Sequence, residues 1–104
     1  MNALRERILE HARRALPEEC VGLLLGREQV EDFVPLRNLH PAPHQGFCLD
    51  AAEVALHLSK GVIGLYHSHP NGGGEPSCFD EVKGFEFYWI VDPRAGTLSE
   101  IKAR

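Results

Sequence analysis

No apolar run in this sequence approaches the roughly 20 residues that a membrane-spanning helix requires. Met1 leads directly into the mixed, charged segment Asn2-Ala3-Leu4-Arg5-Glu6-Arg7, which lacks the pattern of a secretory signal, so export is not expected. Cysteine is scarce: Cys20, Cys48 and Cys78 are widely spaced and odd in number. That argues against a disulfide framework and fits the reducing cytoplasm. Cys20 and Cys48, set among apolar neighbours, read as small buried hydrophobes. An excess of positive charge is also missing. Eleven Lys and Arg against fifteen Asp and Glu leave a net charge of −4 and a pI near 5.8, so a nucleic-acid surface is not expected. Repeats, linkers and low-complexity segments are absent.

What is present is ordinary globular material, 43% hydrophobic and 25% charged in 104 residues. That length suits one domain, residues 1–104, and a domain of this size buries roughly two-thirds of its unfolded surface. Function has to come from motifs.

Asn2 is placed to cap a helix whose apolar residues, Leu4, Ile8, Ala12 and Leu16, form one stripe that Pro17 ends. Cys20 to Leu25, closed by Gly26, reads as a buried strand, and Gln29 to Leu36 as a more polar strand paired with it. The stretch 37–46 is irregular. Asp50-Ala51-Ala52-Glu53 resembles a capping box, with Val54, Leu56 and Leu58 carrying a short helix that Gly61 closes. Val62 to His69 reads as a strand, and the glycine-rich loop 70–76 leads to a helical turn opened by Ser77. Phe85 to Val91 and Thr97 to Lys102 are the last strands, joined by a turn at Asp92-Pro93-Arg94-Ala95-Gly96. The expected fold is α/β, a mixed sheet flanked by helices in the order αββαβαββ.

His67-Ser68-His69 stands at the end of a predicted strand. Side chains alternate along a strand, so both imidazoles project to one face, in line with Ile63 and Leu65. Two such rings can occupy adjacent corners of a tetrahedral zinc site, although a His-x-His pair alone is a weak signal. The loop with Gly72, Gly73 and Gly74 can fold back and deliver Ser77 and Asp80 beside them. Ser77-x-x-Asp80 is also a sound helix-capping motif, and the two roles are compatible. Two histidines and a carboxylate leave a fourth position open, which is the pattern of a catalytic zinc. Such a site needs a proton acceptor, and Glu18, Glu19 and Glu75 are all candidates. His40 and His44 lie in a proline-broken loop and make a poor second metal site, while His11 and His57 read as surface or rim positions. A zinc deaminase would want His-x-Glu and Pro-Cys-x-x-Cys, and neither is present.

His67-x-His69, seven residues, Ser77, two residues and Asp80 resemble the His-x-His-x7-Ser-x-x-Asp signature of the JAMM (MPN+) metalloproteases. Glu19-Cys20-Val21-Gly22-Leu23-Leu24-Leu25-Gly26 resembles that family's Glu-x-x-Gly-Leu-x-x-Gly strand, and Tyr88 to Pro93 its strand after the metal helix. The resemblance implies an MPN (JAB)-type domain of the small prokaryotic kind. It implies one zinc per chain held by His67, His69 and Asp80, with Glu19 rather than Glu18 as general base and Ser77 as oxyanion donor. It implies a metallopeptidase or isopeptidase acting at the Gly-Gly end of a ubiquitin-like or sulfur-carrier protein. Release of an amino acid from such a carrier and non-catalytic binding of a ubiquitin-like partner are the alternatives. Only Glu81-Val82-Lys83-Gly84 separates Asp80 from Phe85, a short connection for the family, and Cys78 between Ser77 and Asp80 reads as packing.

Overall fold

The structure, a computed structural model, describes residues 3–70, 85 and 87–102. Helix α1 (Ala3–Ala15) is followed by strands β1 (Val21–Gly26) and β2 (Val30–Leu36). Then come helix α2 (Ala51–His57), a 3-10 turn (Leu58–Lys60), and strands β3 (Val62–Ser68), β4 (Phe87–Asp92) and β5 (Thr97–Lys102). The five strands form one mixed sheet in the order β2-β1-β3-β4-β5. Among the described strands only β3 and β4 run parallel, the connection that a crossover rather than a hairpin must make. The expected helical turn within that crossover lies outside the described residues.

The sheet is covered on both faces. On one, the α1 stripe of Ile8, Leu9 and Ala12 packs on Cys20, Leu24, Tyr66, Trp89 and Val91. On the other, Val21, Leu23 and Leu65 pack with Leu36 and Phe47, and Val54 of α2 joins from the edge. β1 and β3 feed both cores by alternation, which is why they read as continuous apolar runs.

The ends of α2 follow the local chemistry. Asp50 accepts from the Ala52 N–H at 2.9 Å, and Gly61 adopts φ 83°, a left-handed conformation that glycine takes at no steric cost. The helix itself sits on the rim, however. Leu56 and Leu58 are 75% and 57% exposed, and Val54 packs inward.

Two other sequence expectations need correction. Leu24 pairs with Gly64 but Leu25 pairs with Val62, so Ile63 is an extra residue bulged out of the ladder. The bulge reverses the alternation, and Ile63 packs with the α1 core rather than in line with His67 and His69. Cys48 is exposed, because it belongs to the loop over the sheet rather than to a core. His11 is partly exposed, as a rim position would be, and its Nδ1 meets the hydroxyl of fully buried Tyr66 at 2.8 Å. Among the described residues, no helix is long and apolar enough to cross a membrane.

Candidate metal centre

β3 delivers the histidine pair as alternation predicts. The Nε2 atoms of His67 and His69 stand 3.0 Å apart, with ring centroids at 4.9 Å. Two nitrogens each about 2.0–2.1 Å from one tetrahedral metal would be about 3.3 Å apart, so the pair converges to within a few tenths of an ångström of that spacing. His67 is buried at the β3 end of the sheet and carries the ring of Phe47 stacked on it, centroids 4.7 Å apart and planes at 29°. Such a stack limits rotation of the imidazole and shields its face from water.

The residue between the histidines has its own work. Ser68 is fully buried on the opposite face. Its N–H donates to the Cys20 carbonyl at 3.0 Å, and its Oγ accepts the Cys20 N–H at 2.8 Å. The hydroxyl thus closes the β1–β3 ladder where the strand pairing ends. The His69 N–H donates to the Val91 carbonyl at 2.8 Å, and the Pro70 carbonyl accepts from Arg94 Nε at 2.6 Å. Both histidines and the entry to the following loop are therefore held by β1, β4 and the β4–β5 turn.

Glu19 comes to the same end of the sheet. Val21 pairs with His67, and continuing that antiparallel register through the Cys20–Ser68 bonds sets Glu19 opposite His69. Glu19 is partly buried, whereas Glu18 is exposed. Its backbone is clamped from both sides, its N–H donating to the Pro43 carbonyl at 2.7 Å and its carbonyl accepting from Asn38 Nδ2 at 2.9 Å. The backbone register thus sets Glu19 at the level of His69, while Ser77 and Asp80, like Glu75 and Cys78, lie outside the described residues. Among the described residues no group of three His, Cys, Asp or Glu side chains is placed to hold a metal ion.

His40 has one ring nitrogen engaged locally. Its Nδ1 accepts from the Ala42 N–H at 2.8 Å, which commits that nitrogen to the fold of its own loop. Sequence reasoning missed Asn38, Phe47 and Ser68. A lone phenylalanine before a cysteine in a loop carries no periodic signal, and a serine between two histidines announces no long-range partner.

The family described as prokaryotic homologs of the JAB domain matches residues 1–99, and the chain belongs to it. It is similar to the probable TtuB-protein conjugate cleaving protease of Thermus thermophilus, 36% identical over 83 residues, which cover 74% of this chain and 56% of that protein. It is also similar to the tail tip assembly protein K of Escherichia phage N15, 34% identical over 77 residues, 73% of this chain and 32% of that protein. The chain thus spans about half of the first relative and a third of the second. Among solved structures, a protein from Desulfitobacterium hafniense aligns with a TM-score of 0.78 at 30% identity, over 96% of this chain and 78% of that one. A JAB1/MPN domain protein from Archaeoglobus fulgidus aligns at 0.65 and 24% identity, over 95% and 83%, and shows the shared fold.

Proposed function

We propose that this chain is a zinc-dependent peptidase or isopeptidase that cleaves at the Gly-Gly end of a ubiquitin-like or sulfur-carrier protein conjugate. The observation that carries the reading is the convergence of the His67 and His69 Nε2 atoms at 3.0 Å beside Glu19. The Thermus relative, named for cleaving protein conjugates, supports the reaction class.

Two imidazoles with a carboxylate suit zinc better than calcium or magnesium, which favour all-oxygen sites. His67 and His69 would hold the ion through Nε2, and Asp80 would supply the third donor. Bound there, zinc would polarise the scissile carbonyl and bring the pKa of a water to about 7. The remaining work belongs to this chain. Glu19 takes a proton from the attacking water at its carboxylate and returns it to the departing amine. Ser77 donates its hydroxyl to the oxygen on which negative charge develops, a contribution of about 3 kcal/mol for a well-placed donor. Glu19 lies just before β1, and its backbone bonds to Pro43 and Asn38 would keep the proton acceptor at a fixed spacing from the histidine pair.

The test is Glu19→Gln, assayed on a sulfur-carrier protein carrying a C-terminal extension after its Gly-Gly. Glutamine keeps the shape but cannot accept the proton at neutral pH. Cleavage should fall by about 10²–10⁴-fold, while zinc content, stability and carrier binding stay near wild type. Glu18→Gln, exposed and one residue out of step, should change little. Wild-type protein that binds the carrier and leaves it intact would make this a recruitment module. Turnover that ignores Glu19→Gln would overturn the mechanism.

A further inference from the structure

We infer that Asn38 is a positioning residue for proton transfer, because one side-chain amide fixes both Glu19 and the loop that braces His67. The inference rests on the reading of Glu19 as proton acceptor. Asn38 Nδ2 donates to the Glu19 carbonyl and to the Gly46 carbonyl, each at 2.9 Å, with the Pro43 carbonyl at 3.5 Å beyond them. Asn38 Oδ1 accepts from the His40 N–H at 3.0 Å and the Cys48 N–H at 3.1 Å. Both donors and both acceptor positions are used. Every partner is backbone, which can only accept at carbonyl oxygen or only donate at N–H, so the orientation of the amide follows without ambiguity.

The partners decide what this hub does. Gly46 and Cys48 flank Phe47, so Asn38 holds the chain on both sides of the ring stacked on His67. Pro43, in the same loop, accepts the Glu19 N–H. Glu19 lies before β1 begins, where the sheet no longer fixes it, and the Asn38 loop takes over that task through both of its backbone groups. The same four bonds therefore set the spacing between a proton acceptor and a ligand ring carried by different strands. Misplacement by about 1 Å at such a spacing can cost about 10²-fold in rate.

Asn38→Asp separates this role from a general structural one. The aspartate keeps both acceptor bonds but turns an oxygen toward two carbonyls in place of the NH₂ group. In the protein as purified, amide exchange at Glu19 should speed at least tenfold, while Val21 and Leu23 within β1 stay protected. In the carrier-cleavage assay, kcat should fall at least tenfold with KM within twofold. In a Glu19→Gln background, Asn38→Asp should cost no further rate. Asn38→Ser, smaller and retaining one donor, carries the same comparison if the aspartate variant does not fold. Unchanged exchange at Glu19, or a rate loss equally large with and without Glu19, would overturn the inference. Faster exchange at Glu19 in a protein that never cleaves the carrier would overturn the functional reading and, with it, the catalytic meaning of the hub.

Discussion

Phe47 stacks on His67 with centroids 4.7 Å apart and planes 29° from parallel, although twenty residues separate them in the chain. The contact joins a loop without regular structure to the end of a central strand. It gives the imidazole an apolar backing, so its Nε2 can stay turned toward His69 without a competing water on that face.

Phe47→Leu should therefore loosen the metal site more than the fold. Leucine keeps most of the apolar volume, and the substitution should cost less than about 1.5 kcal/mol of stability. It cannot offer a flat face to the ring. Zinc affinity, measured by competition with a chromophoric chelator, should fall about tenfold, the lower part of the range for groups that orient a ligand. Equal affinities would mean that the stack fills space and nothing more.

Zinc itself should copurify at about one ion per chain when no metal is added, as judged by elemental analysis. His67→Ala combined with His69→Ala should abolish it, because no imidazole would remain at the end of β3. Zinc retained by the double variant would place the ion elsewhere, and the loop with His40 and His44 would be the first place to look.

How legible these features were in the sequence depended on how local their causes are. The Asp50 cap and the Gly61 close of the helical segment depend on a few adjacent residues and were readable. So was the shared face of His67 and His69, a matter of two-residue alternation. Ile63 was not, because its bulge exists only in the pairing of β3 with β1, and no property of residues 62–64 alone announces it. Asn38 was invisible for the same reason. An asparagine in a loop is commonplace, and its meaning lies in partners from residue 19 to residue 48. The His11–Tyr66 contact was not readable either, because the two residues lie 55 positions apart.

Gly22 should be intolerant of any side chain. A Cβ built there would stand 2.2–2.3 Å from the Tyr66 ring, and that ring is fully buried and pinned through its hydroxyl to His11. Gly22 and Tyr66 are paired across β1 and β3, so relief would require moving a strand. Gly22→Ala should destabilise by about 3 kcal/mol, the upper part of the overpacking range. Urea unfolding would measure it. In a Tyr66→Leu background the same substitution should cost much less, since neighbours in contact are not additive. A full cost in both backgrounds would assign the penalty to the backbone instead of the ring.

The His11–Tyr66 contact also predicts how stability depends on pH. Burial lowers the His11 pKa from its ordinary 6.5 and raises that of Tyr66 above its ordinary 10. At neutral pH the tyrosine therefore keeps its proton and donates to His11 Nδ1, which must be unprotonated to accept. In the unfolded chain His11 titrates near its ordinary value of about 6.5, and in the folded chain below that. Below pH 6.5 the unfolded state thus binds more protons, and stability falls as pH drops until the folded pKa is passed. Above about pH 7 this contribution is fully present and flat. The Tyr66 shift acts in the opposite sense, removing stability as pH rises past 10. Urea midpoints of metal-free protein from pH 5 to 8 would show the acid arm, and the difference between wild type and His11→Gln isolates the part that belongs to His11. Glutamine can still accept from the tyrosine hydroxyl but binds no proton in this range. The two curves should therefore converge toward pH 5 and separate toward a plateau above pH 7. Parallel curves across the whole range would show that His11 takes up its proton as readily in the fold as out of it, and that burial against Tyr66 does not hold it neutral.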